Sequence, residues 1–143
     1  GEGSLLKTEP RRYDVIALRD TRVVCMRRET FRWLLDHSIG FNHAIIEQIN
    51  ERLGQFIGLL ESERLLDTDA RVARCLVALY NPVLYPGQTQ HISISQEEIG
   101  LLAGVSRQRV NRSLKILEDA GFIEVVYGGV ATLDLEGLRR FGG

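Results

Sequence analysis

Four cations crowd one short stretch of this chain. Arg107, Arg109, Arg112 and Lys115 all lie within Ser106–Ile116, and no acidic residue accompanies them. In a helix, cations in the first turn oppose the macrodipole at a typical cost of ~0.3–1 kcal/mol each. A docked polyanion offsets that cost several times over, because phosphate contacts release condensed counterions. A basic run taken alone is as readily a solvated helix face. The residues that would position it decide between these readings.

Ser95 and Glu98 have the S-x-x-E spacing in which each side chain caps a backbone N–H of the other, so a helix opens at Ser95. Its apolar positions, Ile99, Leu102 and Ala103, are expected to face inward. Gly104 stands where a tight turn needs positive φ, Val105 fills the angle between two helices, and Ser106 is a second N-cap. Val110, Leu114 and Leu117 then repeat at i, i+4, i+7, and Gly121 is a helix stop. The spacing predicts a second helix of about 13 residues, with an apolar inner stripe and a basic outer face. Such a pair is a helix-turn-helix, and its basic outer face points to DNA.

A chain of 143 residues holds one ordinary domain or two small ones, and its 44% hydrophobic, 26% charged composition is that of a folded soluble protein. The net charge of −1 means that any nucleic-acid site rests on local clustering. Cys25 and Cys75 are fifty residues apart, with no metal-ligand spacing, and both read as small buried hydrophobes in a reducing compartment. No signal peptide or membrane span is visible, so a cytoplasmic location is expected. No metal site, cofactor site or enzymatic constellation emerges either, since His37, His43 and His91 stand apart from any nucleophile or paired carboxylate.

Along the chain, residues 13–18 and 22–26 are β-branched runs that read as a hairpin. Two strands alone are marginally stable, so the chain reads as a fragment or trimmed product lacking part of a β domain. A short helix from about Glu29 to Asp36 follows, with Phe31, Leu34 and Leu35 inward and Gly40 as its break. From Phe41 to Leu66, Ile46, Ile49, Leu53, Phe56 and Leu60 alternate by three and four, a heptad seam. At 1.5 Å per residue this rod is roughly 39 Å long, more than one small core needs, so a second copy is the expected partner. Gly54 and Gly58, each costing about 1 kcal/mol inside a helix, fit close approach of another backbone. Asp67 and Thr68 offer a cap for a helix with Val72, Cys75, Leu76 and Leu79 buried, ending near Tyr80. A two-proline loop covers 81–91, a short strand Ile92–Ile94, and strands over Phe122–Tyr127 and Val130–Leu133 flank the turn Gly128-Gly129. Helix-turn-helix plus hairpin makes a winged helix, and residues 135–141 suit a last short helix.

This ordered set, and above all the run Gly104-Val105-Ser106-Arg107-Gln108-Arg109-Val110-Asn111-Arg112 with Leu117-Glu118-Asp119-Ala120-Gly121, resembles the Crp/Fnr family of bacterial transcription regulators. The resemblance implies an α+β, mainly α fold. Residues 1–28 would be the end of a cyclic-nucleotide-binding-like β-roll, 29–66 a short helix plus the long dimerisation helix, and 67–143 the winged helix-turn-helix domain. It implies base reading by Arg107, Gln108 and Arg112, which suits the two-bond grip of Arg on guanine and of Gln on adenine. Ser106, Arg109 and Lys115 would then hold the DNA backbone. It further implies a homodimer on palindromic double-stranded DNA, with RNA polymerase as a further partner.

The effector side matches less well. Glu2 and Arg12 resemble a remnant of the phosphate-binding cassette, but Tyr13-Asp14 replace the small pair that follows the arginine in the cyclic-AMP members. Phe56-Ile57 replace the Thr-Ser pair that holds adenine there. Cyclic AMP is therefore not the expected effector, and Cys25 does not replace the cysteine cluster of the iron–sulfur members. A winged-helix module for an acidic protein partner, or an effector sensor without specific DNA binding, are the competing readings.

Overall fold

The computed structural model describes residues 6, 14–17, 20–65 and 67–142. The chain divides into two units, Gly1–Ile49 and Asn50–Gly143, with the boundary inside its longest helix.

In the first unit, helix α1 (Arg28–His37) carries Glu29 in its first turn, the sign that suits the macrodipole there. Phe31 is its buried residue and meets Phe41 edge to face with ring centroids 5.4 Å apart. The break before the next helix, α2 (Ile39–Leu65), falls at Ser38 rather than at Gly40, which lies inside the first turn of α2. Ser38 adopts an extended conformation, and its hydroxyl accepts from the Phe41 N–H at 3.2 Å. A serine that can cap is a better divider than a glycine that cannot. The hairpin expected over 13–18 and 22–26 is absent among the described residues: 14–17 and 21–27 form no strand. Val23 and Val24 are 76% and 102% exposed. β-Branched runs without further sheet to cover them have nothing to bury against, and strand propensity expresses that burial rather than replacing it. Cys25, expected to be buried, is exposed for the same reason.

In the second unit, α3 (Thr68–Ala78) opens on Asp67, whose carboxylate accepts from the Ala70 N–H at 2.9 Å. Val72, Ala73, Cys75 and Leu76 form its buried side. Strand β1 (His91–Ile92) follows, then α4 (Gln96–Ala103), α5 (Arg107–Asp119), β2 (Ile123–Val126), β3 (Gly129–Thr132) and α6 (Leu135–Arg140). The sheet is antiparallel in the order β1-β3-β2, with Ile92 opposite Val130 and Val125 opposite Val130 across the second ladder. The two-residue turn between β2 and β3 is Tyr127-Gly128, one position earlier than expected, because Gly129 already pairs with Val126. A Cβ on Gly129 would collide with the Ile92 carbonyl oxygen, so β1 sits against this position only because it is glycine.

One core joins these elements. Val72 and Leu76 of α3, Ile99 of α4, Val110, Leu114 and Leu117 of α5, Ile123 and Val130 of the sheet, and Leu138 of α6 are at most 1% exposed. Burying such side chains is worth roughly 1.5–3 kcal/mol each, enough to fix how the two helices of the turn cross. The loop after α3 is ordered by Asn81, whose side-chain oxygen accepts from the Val83 and Leu84 N–H groups at 2.9 and 3.0 Å. Tyr80 ties α3 to the sheet by donating to Gln90 O or Thr132 Oγ1, 2.9 and 2.7 Å away.

Candidate nucleic-acid interface

Helix α4 begins with the capping box read from the sequence: Glu98 N–H donates to Ser95 Oγ at 3.1 Å, and Ser95 N–H donates to Glu98 Oε2 at 2.7 Å. It ends at Gly104 with φ 65 and ψ 38, the left-handed conformation the turn requires. Ser106 then caps α5, its hydroxyl accepting from the Arg109 N–H at 3.4 Å. Val110, Leu114 and Leu117 are buried as expected, and Ser113 is buried with them. Leu102, expected inward, points out at 49% exposed beside Leu101 at 76%; Ile99, Gly100 and Ala103 are the inner side of α4.

Arg107, Gln108, Asn111, Arg112 and Lys115 are all exposed. At about 100° per residue they span a helical arc of roughly 140°, opposite the buried stripe. No acidic residue occupies the first turn of α5, so the unpaired N–H groups and the arginines there present positive charge together. Asn111, not singled out from the sequence, lies between Arg107 and Lys115 on this face and carries the amide that suits adenine.

Arg109 differs from its neighbours. It is half-buried at the side of the helix, with Nη2 3.8 Å from Asp69 Oδ1 of α3 and with Nε buried and lacking an acceptor among the described residues. Asp69 Oδ1 also lies 2.6 Å from the Ser113 hydroxyl, which donates to it. Asp69 therefore pins α5 to α3 through two side chains. Arg71, two residues on, donates from Nη2 to Ala103 O at 2.6 Å and so satisfies an orphan carbonyl at the end of α4. The hairpin is braced by Glu118, whose Oε1 accepts from the Val125 N–H at 2.8 Å, and Tyr127 stands fully exposed at its tip. None of these anchors has a local signal, because each joins residues 7 to 44 positions apart.

The heptad positions of α2 are apolar and uncovered in the single chain: Ile46, Ile49, Leu53, Phe56 and Leu60 range from 38% to 61% exposed. A Cβ on Gly54 or Gly58 would meet nothing within 4 Å. Glu2 and Arg12 lie outside the described residues. Among the described residues no group of three His, Cys, Asp or Glu side chains is placed to hold a metal ion, and no helix is long and apolar enough to cross a membrane. Burial pushes the Cys75 thiol from 9.0 up to about 12, and burial also raises Tyr80, against the lowering effect of its hydrogen bond with Thr132.

Two capped helices about a left-handed glycine, with a hairpin braced on the second, define a winged helix-turn-helix domain. Residues 70–141 match the Crp-like helix-turn-helix domain family. The chain belongs to the Crp/Fnr family of transcription regulators. It is 33% identical over 98 residues to the cAMP-activated global transcriptional regulator Vfr of Pseudomonas aeruginosa, covering 66% of this chain and 45% of that one. It is 28% identical over 144 residues to a CRP-like cAMP-activated global transcriptional regulator of Mycobacterium tuberculosis, covering 98% of this chain and 64% of the relative. The chain thus spans only part of the length of these relatives. Among solved structures, the Thermus thermophilus catabolite activator protein aligns with TM-score 0.44 and 27% identity over 78% of this chain and 52% of its own. A putative Crp/Fnr regulator from Eubacterium rectale aligns with TM-score 0.49 and 23% identity over 79% of this chain and 52% of its own.

Proposed function

We propose that this chain is a sequence-specific DNA-binding regulator that grips a two-fold promoter site as a homodimer. The observation that carries this reading is the exposed face of α5, where Arg107, Gln108, Asn111, Arg112 and Lys115 project together from a helix pinned to its scaffold. Arg107, Gln108 and Arg112 read base edges in the major groove. Ser106, Arg109 and Lys115 hold phosphates, Arg109 through the exposed part of its guanidinium. The uncovered α2 stripe supports pairing of two copies, which places two reading helices about 34–36 Å apart, one turn of duplex. RNA polymerase is the further partner, and the cytoplasm the site of action. Phe56 and Ile57, at the positions resembling the adenine-holding pair, have no hydrogen-bonding side-chain atoms, which argues for an effector other than cyclic AMP.

Titration of palindromic and random duplexes at physiological salt tests the reading. Arg107→Ala and Arg112→Ala should each cost about 1–3 kcal/mol per half-site and relax base preference at one position of each half-site. Lys115→Ala should weaken all duplexes alike and lower the salt slope by about 2, one phosphate contact being lost in each half of the dimer. Unchanged affinity and preference in both arginine variants would overturn the assignment and favour an acidic protein partner for this face.

A further inference from the structure

Leu101 and Leu102 sit on the outer side of α4, 76% and 49% exposed, while Ile99 and Ala103 already anchor that helix in the core. They line a groove of about 280 Å³ together with Phe56, Leu59 and Leu60 of α2, beside the turn glycine Gly104. Among the described residues neither leucine belongs to the buried core. The apolar heptad spacing of α2 also stops early: after Leu60 the next seam position is Glu63, although the helix continues to Leu65. Phe56 and Leu60 belong to both surfaces, so the apolar strip of the rod continues onto the helix-turn-helix, with Ser62, Glu63 and Arg71 also lining the groove.

A second copy of this chain fits that strip. It already covers Phe56 and Leu60 in the homodimer reading, on which this inference rests. With the two α2 rods paired in parallel about the dyad of the site, the last turns of the partner's rod come beside this groove. We infer that Leu101 and Leu102 dock against the C-terminal turns of α2 in a second copy, carrying the dimer seam onto the reading head. Pairing then sets the direction in which α5 points as well as joining two chains. The leucines couple dimerisation to two-fold recognition through α4, which packs on α5 across the Gly104 turn.

The experiment uses the full 143-residue chain and its Leu101→Glu/Leu102→Glu double variant, with Leu101→Gln/Leu102→Gln as an uncharged companion. Sedimentation equilibrium should give a dimer dissociation constant raised about tenfold or more in both variants, the scale of losing one buried leucine contact. Their preference for a palindromic duplex over a half-site should fall in step, while half-site affinity stays at the wild-type value and the far-ultraviolet circular dichroism of the folded chain is unchanged. In mixed dimers of carbon-13-labelled and unlabelled chains, the Leu101 and Leu102 methyl groups should show intermolecular contacts. A wild-type dimer whose dissociation constant is the same in both variants, with no such methyl contacts, overturns this docking alone and gives the groove to another protein. A wild-type chain that stays monomeric at high concentration and on DNA overturns the homodimer reading and the docking with it.

Discussion

Asp69→Ala tests how α5 is held. In the wild type, Asp69 Oδ1 accepts from the fully buried Ser113 hydroxyl at 2.6 Å and stands 3.8 Å from Arg109 Nη2. A hydrogen bond to a charged acceptor is worth about 1.5–3 kcal/mol. Ser113 has a fallback acceptor, Arg109 O at 3.0 Å, so the lower end of that range applies. The ion pair is long and partly exposed and adds less than ~1 kcal/mol. Losing an acid from the first turn of α3 costs a further ~0.3–1 kcal/mol. Asp69→Ala should therefore destabilise the winged-helix unit by about 2 kcal/mol and lower its thermal midpoint by roughly 10 °C. Ser113→Ala should cost about 1 kcal/mol, because Asp69 keeps solvent and Arg109 as partners, and the double-mutant cycle should show about 1 kcal/mol of coupling. Denaturant unfolding followed by circular dichroism measures all three. A change below about 0.5 kcal/mol for Asp69→Ala, or zero coupling, would refute the claim that Asp69 pins α5.

Gly104→Ala should cost about 1–2 kcal/mol, since an L side chain is strained at φ 65, and denaturant unfolding would show it. Gly129→Ala should be worse, because its Cβ meets the backbone of Ile92 and must separate β1 from β3; loss of hydrogen-exchange protection at Thr132 N–H would register this. Cys25, exposed, should react with a thiol probe at pH 8, whereas Cys75 should not until the chain unfolds. Cys75 also contributes to alkaline stability with a definite sign. Its folded pKa lies above its unfolded one, so its share of stability is complete below pH 9.0 and is lost as pH rises towards about 12. Cys75→Ala should lose that part of the alkaline slope.

The local signals in the sequence translated well. Ser95 with Glu98, Ser106, Asp67 and Gly104 each act within four residues, so their chemistry is legible without knowing the fold. The α5 stripe was legible for the same reason, because three residues at helical spacing can face only one core. Leu102 was misplaced because α4 has eight residues and two adjacent leucines, and its inner side is chosen by how tightly Gly100 lets α5 approach rather than by periodicity. The β-branched run at 22–26 misled because strand formation needs partners that the described residues do not supply. Asp69, Arg71 and Glu118 had no sequence signal at all, since their partners Ser113, Ala103 and Val125 become neighbours only on folding. The exposed face was visible as four cations; the structure moved Arg109 to its edge and added Asn111 to its middle.

Selection of bound sites from a pool of random duplexes, using the wild-type chain beside its Gln108→Ala variant, tests the central claim most directly. The account predicts enrichment of two half-sites related by a dyad, with centres about 10–10.5 base pairs apart or a multiple of that, and loss of preference at one base pair per half-site in the variant. Recovery of duplexes with no shared sequence, or the same motif at the same strength from both chains, would contradict it.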